Sequence, residues 1–288
     1  MKLPLALLSF FYVLASVFAT PVVNVIKGVP YEAGTAEDVL DLYLPGNAEE
    51  HKVVVFIHGG GWIGGSRIGD RDVAVARSLA EAGFAVASID YRLAPASHWP
   101  AQLDDIRSAL RFLSGHAKDY QLDMSRIALF GCSAGGHLAL MAAYEESPDK
   151  SLPTIRAVVA FYPISNLLTR RETDAAGQSL AKVKESTGVK LLGYPLAAHE
   201  SLWKDASPSS HVTSVSPPTF LAHGKKDTTV NWEQTAELDS ILQAAKVDHE
   251  TIFLEQAGHS FDLTEWKHHP LEKDLTPLVV AFLQKHLK

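Results

Sequence analysis

The chain has 288 residues, 47% hydrophobic, 20% charged and 9% aromatic, an ordinary globular composition that excludes a disordered, collagen-like or multi-span membrane protein. Lys plus Arg number 26 and Asp plus Glu 33, a formal net charge of −7 with no long basic run, so no nucleic-acid partner is expected. The single cysteine, Cys132, excludes an intramolecular disulfide and a multi-thiolate metal site, and the length suits one large α/β domain or two small ones.

The first residues carry an address. Met1-Lys2 precedes an apolar run from Leu3 to Phe18, and Ala19-Thr20 follows. One early positive charge, an apolar centre and small residues at Val17 and Ala19 predict a secretory signal peptide over residues 1–19, cut before Thr20. The run is short for a membrane span and no cysteine lies near the cut. The expectation is a secreted (extracellular or periplasmic) protein without stable membrane insertion, whose domain covers residues 20–288. Nothing in the residues fixes an oligomeric state.

From there strands and helices alternate. Predicted strands are Val22–Ile26, Val39–Leu44, Val53–Ile57, Phe84–Ile89, Arg126–Phe130, Ala157–Phe161, Thr219–Ala222 and Glu250–Leu254. Several are continuously apolar, as parallel strands covered on both faces should be. Helical patterns run over Asp70–Ala82, Pro100–His116, Ala134–Glu145, Trp232–Ala245 and Pro277–Leu287, the last with Thr276 as its expected N-cap. This alternation predicts an α/β fold with a mostly parallel eight-stranded sheet flanked by helices. One stretch breaks the rhythm: Asn166–His211 reads as a cap-like insertion with short helices around Leu180–Leu192. Its Leu191, Leu192, Tyr194, Leu196 and Trp203 are too apolar for a disordered linker.

After the strand Arg126–Phe130 comes Gly131-Cys132-Ser133-Ala134-Gly135, then a helix. A G-x-S-x-G between strand and helix forces the serine into a strained turn, and its hydroxyl emerges at the C-terminal edge of the sheet. The pentapeptide alone is weak evidence; in this context it marks a nucleophile. A serine needs a base, and the base an orienting acid. Asp227 follows the strand Thr219–Ala222, and His259 follows Glu250–Leu254, so both lie at the same sheet edge as Ser133. Asp205 and Asp262 compete for the acid position, but one sits in the insertion and the other is too near His259 in sequence to reach its ring. His223 is expected to shape the Asp227 loop. His268 and His269 could be read as metal ligands, but adjacent histidines rarely face one ion, and no metal or cofactor is expected.

The strand Val53–Ile57 runs into His58-Gly59-Gly60-Gly61-Trp62-Ile63-Gly64. Consecutive glycines let backbone N–H groups approach a reacting oxygen, so Gly60 and Gly61 are the expected oxyanion donors, with Ala134 opposite. The same glycines formally satisfy G-x-G-x-x-G, and Asp90 ends the next strand where a dinucleotide fold keeps its ribose acid. Against that rival, Trp62 is bulky where a pyrophosphate would rest, and the helix is expected near Asp70 rather than at Gly64.

Together, His58-Gly59-Gly60-Gly61-Trp62, Asp90-Tyr91-Arg92-Leu93-Ala94-Pro95, Gly131-Cys132-Ser133-Ala134-Gly135-Gly136-His137-Leu138-Ala139 and Ala257-Gly258-His259 resemble α/β-hydrolase serine esterases. The resemblance runs to the hormone-sensitive-lipase-like branch and to the BD-FAE-like esterases, which act on acetylated or feruloylated plant polysaccharides. Cys132 stands where the lipase-like branch often has Asp. His137-Leu138-Ala139 and the expected leader lean toward the polysaccharide side. The resemblance implies carboxylic-ester hydrolysis without a cofactor, on a small-molecule or polysaccharide-linked ester. Kynurenine-formamidase-like amide hydrolases share the signature, as do general short-chain esterases and lipases. A non-catalytic hydrolase-fold binding module is a remoter reading, since such modules usually lack a triad member.

Overall fold

The computed structural model describes residues 22–32, 38–46, 50–170 and 186–288. The expected leader therefore lies outside the described residues, as does the start of the helical stretch expected around Leu180. Eight strands form one sheet: β1 (Val23–Pro30), β2 (Val39–Pro45), β3 (His51–Ile57), β4 (Ala85–Ile89), β5 (Leu122–Cys132), β6 (Ile155–Phe161), β7 (Thr219–Gly224) and β8 (His249–Leu254). Their order is β1-β2-β4-β3-β5-β6-β7-β8. β1 and β2 run antiparallel to each other, and β2 runs antiparallel to β4; every other pairing is parallel.

The period of two is legible in the packing. Val53, Val55 and Ile57 join the core on one face, with Leu110 and Leu113 of α2 (Ala101–Gly115), Leu138 of α3 (Ala134–Tyr144), and Leu238 and Leu242 of a later helix, Glu233–Ala245. Val54 and Phe56 join the opposite core, with Val75 and Leu79 of α1 (Asp70–Glu81) and Val279 and Phe282 of the C-terminal helix, Thr276–His286. Both faces of the central strands are thus dry, and Val53–Ile57 of β3 reads as an unbroken apolar run, interrupted in β4 only at Ser88. Across the second face, ring pairs Phe56–Phe130, Phe130–Phe161 and Phe220–Phe282 meet edge to face at 5.3, 4.9 and 5.6 Å.

Between β6 and β7 lies the insertion. Its described part holds α4 (Thr187–Leu192), a 3-10 turn at Leu196–Ala198, α5 (Glu200–Asp205) and a second 3-10 turn at Pro208–Ser210. Leu191, Leu192 and Trp203 are buried, and the Trp203 indole donates to Tyr194 O at 3.0 Å, so these residues pack as a small layer. The helix after β7, α6, spans Glu233–Ala245, and the last, α7, spans Thr276–His286. One end differs from expectation. Thr276 is the first helical residue of α7, not its cap, because Asp274 Oδ1 accepts the Thr276 N–H at 2.8 Å and draws the chain into the helix one residue early. A two-stranded hairpin, β9 (Glu265–Trp266) with β10 (His269–Pro270), was not expected; strands of two residues leave no pattern to read. Among the described residues no helix is long and apolar enough to cross a membrane.

Candidate active site

The parallel sheet brings its strand ends to one edge, and the chemistry collects there. At the end of β5 the chain turns into α3 through Ser133, which takes φ 56° and ψ −120°. Such a backbone costs of order 1–3 kcal/mol and persists only where its surroundings impose it. They do so here through close approach: a Cβ on Gly135 would lie 2.1 Å from Ile57 O and 2.4 Å from His58 O, so only glycine lets the elbow press against the end of β3. The Ser133 N–H donates to Phe161 O at 2.8 Å, which pins the turn to β6.

Asp227 sits in the turn after β7. Its Oδ1 accepts the N–H groups of Thr229 and Val230 at 2.8 and 2.9 Å. Its Oδ2 faces His259 Nδ1 at 2.6 Å and His223 Nε2 at 3.2 Å. Burial alone would push this carboxyl up. The hydrogen bonds and charges of His223 and His259 outweigh burial and hold it well below the usual carboxylate range. His259 Nε2 then lies 3.0 Å from Ser133 Oγ. With Nδ1–H donating to an ionised Asp227, Nε2 is left as an acceptor for the serine hydroxyl. The competitors stay away from this ring: Asp205 closes α5, and Asp262 Oδ1 accepts the N–H groups of Thr264 and Glu265 at 2.7 and 2.6 Å.

The glycine loop folds over the same edge. Gly60 takes φ 123°, and a Cβ there would strike Gly64 O at 2.0 Å, because Gly60 O accepts from Ile63 and Gly64 in a tight turn. The N–H groups of Gly60, Gly61 and Ala134 donate to no acceptor among the described residues. The dinucleotide reading finds no support in this geometry, since Trp62 is buried and α1 opens at Asp70 rather than at Gly64.

Several residues that shape the site were not assigned from the sequence. The Tyr91 hydroxyl donates to His58 O at 3.0 Å and its ring stacks on His58 at 4.3 Å, so the Asp90–Pro95 motif acts as scaffold for the glycine loop. Arg67 bridges Asp41 and Asp90 beneath it. The Tyr162 ring meets His259 edge to face at 4.6 Å, and its hydroxyl donates to Phe261 O. The Trp266 indole donates to His259 O at 2.9 Å. The motif spacing around Tyr91 was available as a signal; the Tyr162 and Trp266 contacts depend on loop paths that no local pattern encodes. Beside His259 a cavity of about 770 Å³ opens, lined by Arg71, Lys226, Thr228, Trp266 and Lys267 among others.

A parallel sheet with an elbow serine after one central strand, an acid after β7 and a histidine after β8 defines the α/β-hydrolase fold. Residues 40–242 match the family model described as BD-FAE, and the chain belongs to that family. Esterase LipC of Mycobacterium tuberculosis (strain ATCC 25618 / H37Rv) is 31% identical over 222 residues, 74% of this chain and 54% of that protein. The chain spans about half the length of Esterase LipC and of two further mycobacterial relatives, LipM and LipQ. Among solved structures, a truncated carbohydrate esterase from gut microbiota superposes with a TM-score of 0.77 at 22% identity, covering 93% of this chain and 97% of that one. Esterase B from Lactobacillus Rhamnosis (HN001) gives a TM-score of 0.74 at 25% identity, covering 92% and 85%.

Proposed function

We propose that the chain is an exported serine carboxylesterase. The observation that carries this reading is the hydrogen-bonded series from Ser133 Oγ through His259 to Asp227, at 3.0 and 2.6 Å, with the N–H groups of Gly60, Gly61 and Ala134 meeting no acceptor among the described residues. His259 Nε2 takes the Ser133 proton as Oγ attacks the ester carbonyl. The carbonyl oxygen gains negative charge against the N–H groups of Gly60, Gly61 and Ala134. His259 then protonates the departing alcohol, and water activated by the same imidazole releases the acid and restores Ser133. The esterase relatives support the reaction class, and a fold neighbour described as a carbohydrate esterase suits a carbohydrate-linked ester; the acetyl or feruloyl esters of plant polysaccharides proposed as substrates are those the family resemblance implies. The cavity beside His259 is lined by His259 but not by Ser133 or the proposed oxyanion donors, and its charged groups, Thr228 and Trp266 suit a hydroxylated departing alcohol better than a long acyl chain.

The test is one panel on the mature protein. Wild type should hydrolyse p-nitrophenyl acetate well and long-chain p-nitrophenyl esters poorly, and should release acetate from acetylated xylan or ferulate from methyl ferulate. Ser133→Ala should keep the circular dichroism of the wild type and lose all these activities; wild-type-like turnover in that variant would sink the assignment. Export rests on the leader residues 1–19. N-terminal sequencing of protein recovered outside the cytoplasm should read from Thr20, and a start at Met1 would remove the export step from the proposal.

A further inference from the structure

One buried side chain beside the site makes two hydrogen bonds that the acyl-transfer steps leave unused. His137 is fully buried on α3, three residues after Ala134. Its Nδ1 lies 3.2 Å from Trp62 Nε1, and its Nε2 lies 2.8 Å from Ala206 O. An indole N–H can only donate and a carbonyl can only accept, so His137 is held as the neutral tautomer with its hydrogen on Nε2. Trp62 directly follows Gly61, is buried, and takes φ 62°; its carbonyl accepts the Ala94 N–H at 2.8 Å. The two banks of the oxyanion hole thus belong to different segments. Gly60 and Gly61 are on the glycine loop, and Ala134 is at the first turn of α3. The Trp62–His137 hydrogen bond ties one segment to the other.

The insertion meets the same point. Ala206 is its contribution to His137. The Arg170 guanidinium lies 5.3 Å from the Trp62 ring centroid. Thr187 Cγ2 lies 3.4 Å from where a Cβ on Gly61 would stand. The Trp99 ring, meeting His137 edge to face at 5.7 Å, closes the remaining side.

We propose that His137 is a positioning residue that sets the span of the oxyanion hole, by gripping Trp62 with Nδ1, and registers the insertion against the hole, by gripping Ala206 with Nε2. This rests on the serine-esterase reading. A histidine that served packing alone would affect folding and leave turnover of the folded enzyme unchanged. A histidine that sets donor spacing acts on the transition state, because the donors engage the oxygen most strongly when it carries charge.

The experiment compares Trp62→Phe, His137→Leu and His137→Asn with wild type, using p-nitrophenyl acetate and a trifluoromethyl ketone inhibitor that forms a hemiketal oxyanion on Ser133. Trp62→Phe removes the indole donor with part of the ring and His137→Leu removes the acceptor, so a loss common to both tracks the hydrogen bond. In His137→Asn the introduced amide oxygen can stand where Nδ1 stood, which makes that variant the conservative rescue. Expected is a kcat loss of roughly 10- to 100-fold in Trp62→Phe and His137→Leu, with KM within about twofold. The inhibition constant of the ketone should rise by the same factor, and His137→Asn should recover part of both. If His137→Leu fails to fold, Trp62→Phe carries the test. A folded Trp62→Phe with kcat and ketone affinity within about twofold of wild type overturns the assignment of His137 and leaves the esterase reading standing. A wild-type protein that turns over no ester, or does so without Ser133, overturns both.

Discussion

Asp227 shows how a single side chain carries geometry and charge together. Each carboxylate oxygen has a separate task. Oδ1 holds the turn through the N–H groups of Thr229 and Val230, and Oδ2 faces His259 with His223 behind it. His223 is itself fixed by Thr235 Oγ1 at 2.7 Å and Val230 O at 3.0 Å, so the carboxylate cannot rotate without breaking several bonds. Asp227→Asn keeps the shape but removes the charge and permits the wrong His259 tautomer. It should lower kcat by about 10⁴ in steady-state assays, while Asp205→Asn leaves kcat near wild type. Loss in Asp205→Asn instead would move the acid. The pH profile follows from the same groups. The partners of Asp227 keep it ionised well below the usual carboxylate range, so its charge still faces the imidazole in mildly acid solution. A carboxylate that stays charged adds no titration of its own there, so the acid limb of log kcat/KM should be no steeper than a slope of one. A slope of two would show that Asp227 is among the groups protonated in that range.

At the scale of elements, the regular parts were legible and the connecting parts were not. All eight strands of the sheet and five of the helices lie where hydrophobic period and turn residues put them, because both cores draw on side chains that alternate along the same strands. The meeting of Ser133, Asp227 and His259 side chains was legible for a related reason: each follows a parallel strand, and parallel strands deliver their C-terminal ends to one edge. What escaped the sequence reading lies in loops. The turn at Asp274 that starts α7 and the β9–β10 hairpin that sets Trp266 against His259 are local turns too short to repeat a pattern, and the Tyr162 hydroxyl reaching Phe261 joins positions 99 residues apart. No local periodicity records them. Tyr91 is intermediate. Its motif was seen, but its function as a prop for His58 required knowing that β4 lies next to β3. Trp62 is similar: its size counted against a pyrophosphate, while its bond to His137 needed the approach of α3 to the glycine loop.

At the scale of the whole molecule, the burial that assembles the site sets how stability responds to acid. With one buried cysteine and no disulfide, cohesion comes from the two apolar cores and from polar groups sealed between them. His137 is the clearest of these. Burial, with a smaller contribution from Arg170, pushes its pKa down from 6.5 to about 4, against the opposing effect of the Ala206 carbonyl. Burial lowers His58 in the same direction, and Asp90 and Asp72 oppose that shift. A histidine kept neutral in the fold but free to charge when unfolded makes the unfolded state the stronger proton binder between the two pKa values. Stability should therefore be flat between about pH 7 and 8 and fall as pH drops from 6.5 toward 4, with His137 alone contributing about 3 kcal/mol. Asp227, whose pKa is lowered, adds its own loss only further into the acid range, while Asp38, raised mainly by burial, works weakly the other way. Urea unfolding at pH 7.5, 6, 5 and 4.5 checks the sign: midpoints should fall through that range at constant m. The same series on His137→Asn should show a shallower fall, since the buried imidazole that resists protonation is gone. An unchanged midpoint from pH 7.5 to 4.5 would mean that His137 is protonated within the fold. That would break the Trp62 hydrogen bond, because protonated Nδ1 is a donor facing a donor.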